Sequence, residues 1–185
     1  MTKSNLSFVY VGSLSVRKAV LDIIEAIKGL PSLDVTIIGD GEQRAQIEKR
    51  IATYKLSNVK LLGTRSNSEI LQLLADKDVF IMPSHYDGWG AVINEALTTG
   101  LYVVCTDKCG AKTLLEDRRC GIVYESGNIT QLTKNLINLE AQYNEVVADA
   151  QWRREWAMRC ISGSSIAHYM IDCIENKNVK LPWLD

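Results

Sequence analysis

Short apolar runs alternate with longer stretches of helical periodicity through the first 140 residues, and this alternation leaves few folds open to the chain. The strand candidates are Leu6–Val11, Asp34–Ile38, Val59–Leu62, Val79–Met82, Leu101–Cys105 and Gly121–Tyr124. Most are apolar on consecutive residues, the pattern of strands buried on both faces of a parallel sheet. Between them, Ala19–Ile27 sets Val20, Ile23, Ile24 and Ile27 on one helical face, with Asp22, Glu25 and Lys28 off it. Gln43–Tyr54 and Ser68–Ala75 repeat that logic, with Ser66 or Ser68 as a cap for the latter. Six βα units in series predict an α/β fold: a doubly wound, mostly parallel, six-stranded Rossmann-like sheet with right-handed crossovers. Beyond Asn128 the pattern is helical only. Thr130–Leu139 is followed by a long charged stretch through Arg159, a break at Ser162–Ser165 and a last helix to Ile174. Residues 1–140 therefore read as the sheet domain and 141–185 as C-terminal helices packed on it.

A chain of 185 residues, 46% of them hydrophobic, buries most of the surface its unfolded form exposes and needs neither disulfide nor metal to fold. Its 21 Lys+Arg against 22 Asp+Glu exclude a nucleic-acid binder that works through bulk positive charge. No apolar run approaches the roughly 18 to 20 residues that span a bilayer, and the opening MTKSNLSF carries no signal-peptide core. The cysteines, Cys105, Cys109, Cys120, Cys160 and Cys173, form no CxxC pair, and His85 and His168 stand at no zinc-site spacing. They read as reduced, mostly buried thiols of a cytoplasmic protein.

Ligands of such folds bind beyond the carboxyl ends of the strands, where strand order reverses; in the order 3-2-1-4-5-6 that crevice lies between the first and fourth strands. The loops leaving those strands are the most unusual in the sequence: Gly12-Ser13-Leu14-Ser15-Val16-Arg17-Lys18, and Pro83-Ser84-His85-Tyr86-Asp87-Gly88-Trp89-Gly90. Alone, the first reads as ordinary turn chemistry. Together at the switch point, Arg17, Lys18 and the amides of a helix opening near Ala91 read as a phosphate site. Glu95 follows Asp87 as Asp87-x7-Glu95. On spacing alone Glu95 reads as a solvated helix face and Asp87 as a turn or cap, but two carboxylates also suit the hydroxyls of a ribose or hexose. Gly39-Asp40-Gly41 follows the second strand and lacks the third glycine of a dinucleotide fingerprint, which disfavours a dehydrogenase.

The segments VGSLSVRKAVLDIIEAI, VTIIGDGEQRAQIE, NVKLLG, ADKDVFIMPSHYDGWGAVINEAL and VVCTDKCGAKTLLEDRRCGIVY stand in this order across roughly residues 8 to 140. In that order the chain resembles the C-terminal, donor-binding domain of family 4 glycosyltransferases, one half of the GT-B fold. The resemblance implies a UDP-sugar or GDP-sugar donor, no further cofactor and no metal. Lys18 matches the lysine on the donor diphosphate. Asp87 and Glu95 match the two acidic positions of the E-x7-E motif, with Asp87 on the donor sugar and Glu95 on the ribose. Backbone amides of Gly88, Trp89, Gly90 and Ala91 are implied to meet the sugar and phosphate. Gly63, Thr64 and Arg65 would flank the base, and Gly12, Ser13, Arg17 and Gly39 would complete the donor site. Lys18, Asp87 and Glu95 are the catalytic candidates.

The chain departs from the pattern at three positions. Ser13 stands where the family has a second diphosphate-binding arginine, a charge Arg17 is placed to supply. Asp87 is one methylene shorter than the usual glutamate, and Ala19 replaces a glycine. The family is retaining and uses no Asp-x-Asp metal motif; none is read near a strand end here. The resemblance implies that the acceptor site lies on an N-terminal domain, which is expected to be absent from this chain. The expectation is therefore a donor-binding half that catalyses little alone, with the acceptor a sugar or glycolipid in polysaccharide or glycolipid synthesis. A noncatalytic nucleotide-sugar or sugar-phosphate module is the alternative; a flavodoxin-like or receiver domain ranks last, since Ser13 and Ser15 stand where it needs acids. Trp152 and Trp156 with Arg153, Arg154 and Arg159 suggest either a peripheral membrane face or, the preferred reading, a packing face.

Overall fold

The computed structural model describes residues 5–175 and 180–184. Six strands, β1 (Ser7–Val11), β2 (Asp34–Ile38), β3 (Val59–Leu61), β4 (Val79–Met82), β5 (Tyr102–Thr106) and β6 (Gly121–Tyr124), form one sheet in the order β3-β2-β1-β4-β5-β6. Every pairing is parallel. Strand order reverses between β1 and β4, as the alternation of elements predicts.

The helices are α1 (Val20–Ala26), α2 (Arg44–Tyr54), α3 (Asn67–Ala75), α4 (Ala91–Thr98), α5 (Ile129–Ala141), α6 (Tyr143–Ala148), α7 (Ala150–Cys160) and α8 (Gly163–Ile174). Phe8 and Tyr10 of β1, Val35 and Ile37 of β2, and Val79 and Ile81 of β4 join one core with Ile23 and Ile24 of α1 and Leu132 and Leu136 of α5. Their neighbours Val9, Val11, Ile38, Phe80 and Met82 join the other, with Ile93 and Leu97 of α4 and Trp156 and Ala157 of α7. Each of these three strands feeds both cores, hence their apolar runs. Each such side chain fully buried contributes about 1.5–3 kcal/mol.

Local chemistry sets several boundaries. Ser66 caps α3 through a capping box, donating its backbone N–H to Glu69 at 2.8 Å and accepting from the Glu69 N–H at 3.4 Å. The crossover from β5 to β6 carries no α-helix but a 3-10 segment, Gly110–Leu115, so the fifth βα unit is shorter than expected. Its start is pinned to the β4 loop: the Asp87 N–H donates to Lys108 O at 3.0 Å and the Gly110 N–H to Asp87 O at 3.1 Å. The charged stretch after α5 is two helices. The expected break at Ser162–Ser165 shrinks to a cap, because Ser162 Oγ accepts from the Ser165 N–H at 3.2 Å and the helix resumes at Gly163.

Arg153 corrects the reading of the α7 cations. It is 1% exposed, donating Nε to Gly100 O at 2.8 Å, Nη1 to Arg119 O at 3.1 Å and Nη2 to Val146 O. It ties α7 to the loops that lead into β5 and β6, and burial holds its guanidinium below the ordinary arginine value. Trp156 is buried and stacks on Trp152 with ring centroids 6.2 Å apart, and the Arg119 guanidinium covers Trp152 at 3.6 Å. The pair is a packing face, with Trp156 and Arg153 inside. No described helix is long and apolar enough to cross a membrane.

An Asp-x-Asp sequence does stand beside a strand. Asp76-Lys77-Asp78 leads into β4 at the sheet's amino edge, away from the crevice, where Asp78 accepts from the Ser7 N–H at 2.7 Å and Ser7 Oγ at 2.8 Å. Its work there is to join β4 to β1. The five cysteines are free thiols, all buried except Cys173.

Candidate functional site

The loops after β1 and β4 are laced together at the switch point. The His85 N–H donates to Arg17 O at 2.9 Å, and Arg17 Nη1 donates to Tyr86 O at 2.9 Å. Lys18 and Asp87, 69 residues apart, form a half-sheltered ion pair with side chains 14% and 13% exposed. The Arg17 guanidinium lies 3.9 Å from the same carboxylate, and its side chain is about half exposed. Two cations thus converge on one acid at the mouth of the crevice, leaving a net positive charge there.

Both cations sit on a 3-10 turn, Val16–Lys18, that ends in a left-handed residue, Ala19, at φ 51° and ψ 37°. A glycine at that place is therefore a backbone requirement, and alanine meets it at a cost. The β1 loop also passes close to the β2 loop: a Cβ on Gly39, whose φ is 139°, would stand 1.8 Å from Gly12 O. Gly39 is thus needed for this approach whatever it does for a ligand.

Gly90 caps α4 in the left-handed region, and no side chain caps the helix. The N–H groups of Ala91 and Val92 have no partner within the helix, so its first turn is open to an anion. Glu95 lies in the second turn and is exposed, with no side-chain hydrogen bond among the described residues. It follows the loop that carries Asp87 but takes no part in the Lys18–Asp87 cluster. Gly88 and Trp89 are exposed on the loop, and Trp89 Nε1 donates to Asn94 Oδ1 at 2.9 Å.

Gly12, Ser13, Gly39, Thr64 and Arg65 line one cavity of about 270 Å³ beside the cation cluster, floored by Val11, Ile38 and Ile70. Gly63 stands behind it, accepting from the Gly39 N–H at 2.9 Å. The apolar floor with a polar rim suits a flat ring. The expected site residues thus form a cation cluster at the start of α4 and a slot between the first three strands, with Glu95 apart from both in the second turn of α4.

Three participants escape a reading of the sequence. Cys109 lies under the loop, donating Sγ–H to Trp89 O at 3.1 Å. The hydrogen bond it accepts from Cys105 holds its thiol below the ordinary value, and the same bond, with burial, pushes Cys105 up. The Tyr10 phenol, pushed up by burial and then by the Asp87 charge, donates to Ser13 O at 2.9 Å and supports the β1 loop. Trp183, near the chain's end, packs edge-on against Trp89 with centroids 6.4 Å apart. A cysteine in the loop after the fifth strand, next to the switch point, was the one visible signal among them.

The comparison with known families decides what this frame belongs to. Residues 2–153 match the family described as glycosyl transferases group 1. The chain belongs to that family. Among its relatives, the amylovoran biosynthesis glycosyltransferase AmsK of Erwinia amylovora is 30% identical over 153 residues, covering 77% of this chain and 38% of AmsK. The poly(glycerol-phosphate) alpha-glucosyltransferase of Bacillus subtilis is 32% identical over 137 residues, covering 71% of this chain and 20% of that enzyme. Among solved structures, Anabaena HepE in complex with UDP superposes with a TM-score of 0.82 at 23% identity, over 94% of this chain and 49% of HepE. That last likeness shows the fold, a Rossmann-like α/β sheet as in GT-B glycosyltransferases. The group 1 chain described here spans less than half the length of each of these proteins.

Proposed function

We propose that this chain is the donor-binding half of a retaining, family 4 glycosyltransferase that moves a sugar from a UDP-sugar or GDP-sugar to a hydroxyl acceptor. The observation that carries the reading is the convergence of Lys18, Arg17, Asp87 and the open first turn of α4 at the switch point. AmsK is named for amylovoran biosynthesis and HepE was solved with UDP and with UDP-glucose, which supports a nucleotide-sugar donor and a role in polysaccharide or glycolipid synthesis. In this reading residues 1–140 hold the donor, 141–185 brace them, and the acceptor binds to a domain beyond this chain.

The chemistry follows from charge. As the glycosidic bond to the diphosphate breaks, negative charge grows on the leaving phosphate, and Lys18, Arg17 and the α4 amides stabilise it without reorganising and without a metal. Asp87 neutralises Lys18 through their ion pair. A diphosphate draws Lys18 away and leaves the Asp87 carboxylate to accept hydrogen bonds from the sugar hydroxyls. Glu95, exposed one turn further on, takes the ribose.

Calorimetric titration with UDP, GDP and their sugars tests this exchange. Lys18→Ala should weaken nucleotide diphosphate binding by roughly 10- to 100-fold, the worth of one charge-assisted bond. Asp87→Asn should bind the free diphosphate at least as tightly as the parent yet lose the extra affinity of the sugar-bearing donor. Equal weakening of both ligands by Asp87→Asn would refute the exchange.

A further inference from the structure

A second cavity, of about 440 Å³, opens at the amino ends of β5 and β6, on the edge of the sheet opposite the crevice. Its size lies within the roughly 300–1,000 Å³ usual for small-ligand sites. The frame is rigid, since Arg153 forms part of the wall and is locked to three carbonyls from Gly100, Arg119 and Val146. Asn135 of α5 is nine-tenths buried in this wall, and its Nδ2 finds no hydrogen-bond partner. Buried amides are almost always paired, and Asn135, whose Nδ2 is not, forms part of this wall.

Other polar groups around the cavity are also unspent. Among the described residues, Arg118, Asn138, Gln142 and Glu145 make no side-chain hydrogen bond or ion pair. Donors therefore come from Arg118 and three amides, and acceptors from Glu145, Asp149 and the amide oxygens. A phosphate or carboxylate would find one open guanidinium, Arg118, beside two carboxylates, since Arg119 is paired with Asp117 and Arg153 is locked to carbonyls, and a divalent cation would face all three guanidinium groups. A hydroxyl donates and accepts at once and fits both sets. Tyr102, Ile122 and Leu139 add an apolar wall of the kind that covers the C–H face of a sugar ring.

We propose that this cavity binds a neutral saccharide of one or two pyranose rings, at a distance from the crevice and independently of nucleotide. Such a site holds a glycan on the enzyme while transfer occurs elsewhere.

The test is amide NMR of the 185-residue chain titrated separately with methyl α-glucoside, N-acetylglucosamine, maltose and inorganic phosphate. One of the sugars should shift the signals of Asn135, Asn138 and Gln142 saturably, with a dissociation constant on the order of millimolar. Gln142→Ala and Glu145→Ala, both at side chains without a structural bond, should each weaken that binding about fivefold or more at an unchanged melting temperature. Three outcomes overturn the proposal: no shift of these signals by any sugar at about 100 mM; shifts by phosphate and not by sugar; or sugar shifts confined to residues 12–18 and 87–92. Binding unchanged in both variants overturns it too. None of these outcomes depends on whether the crevice binds a nucleotide.

Discussion

Replacing Gly90 by alanine probes the loop on which the donor site is built. Gly90 lies at φ 87° and ψ 56°, a region that costs an L-residue about 1–2 kcal/mol. Its new methyl would stand 2.7 Å from Cys109 Sγ, closer than real Cβ contacts, whereas Ile93 Cδ1 and Met82 Cε at 3.5 Å are ordinary neighbours. Forcing one carbon into a packed interior costs about 1–3 kcal/mol. The variant should therefore lose about 2–5 kcal/mol, the sum of these two costs. Cys109→Ala alone removes one buried sulfur and should cost roughly 0.5–1.5 kcal/mol. In the double variant the clash is gone and only the backbone strain remains. Its loss should fall short of the sum of the single losses by about 1–3 kcal/mol. Equilibrium urea unfolding, followed by tryptophan fluorescence, measures all three. Losses that add within about 0.5 kcal/mol would refute the contact between Gly90 and Cys109.

Arg153→Met keeps the apolar stem but strands three carbonyls, and should cost about 3–5 kcal/mol in the same assay, whereas Arg154→Met, on the exposed side of α7, should cost under about 1 kcal/mol. Ala19→Gly relieves left-handed strain of about 1–2 kcal/mol and loses about 0.4–1 kcal/mol through the freer unfolded chain, so it should stabilise the protein by up to about 1.6 kcal/mol. Burial raises the Asp22 carboxyl, against the opposing pull of His85. A raised folded value means that ionised Asp22 works against folding at neutral pH and that this penalty vanishes as pH falls towards the unfolded value of about 3.9. Asp22→Asn should accordingly be at least as stable as the parent at pH 7, and its relative advantage should shrink on acidification. An advantage that grows towards low pH would contradict the sign.

The sheet was legible because burial on both faces writes itself as unbroken apolar runs, and because βα alternation leaves one handed winding. Lys18, Arg17 and Asp87 could be placed together for the same reason: strand order alone brings the first and fourth loops to one point. Side-chain fate within an element was not legible. Arg153 and Arg154 are adjacent in a charged helix, and nothing local tells which one faces inward. Cys109 and Gly90 meet only because loops of neighbouring strands converge, a tertiary fact that no spacing records. Asp76-x-Asp78 precedes its strand, and its position on the amino edge explains its structural work.

The central claim is that a nucleotide diphosphate binds where the first and fourth loops meet. Amide NMR of the chain titrated with UDP and GDP measures it directly. The account predicts saturable shifts at Arg17, Lys18 and the Gly88–Val92 amides for one of the two nucleotides, and their loss in Lys18→Ala. Absence of shifts there at millimolar nucleotide, or shifts that persist undiminished in Lys18→Ala, would contradict it.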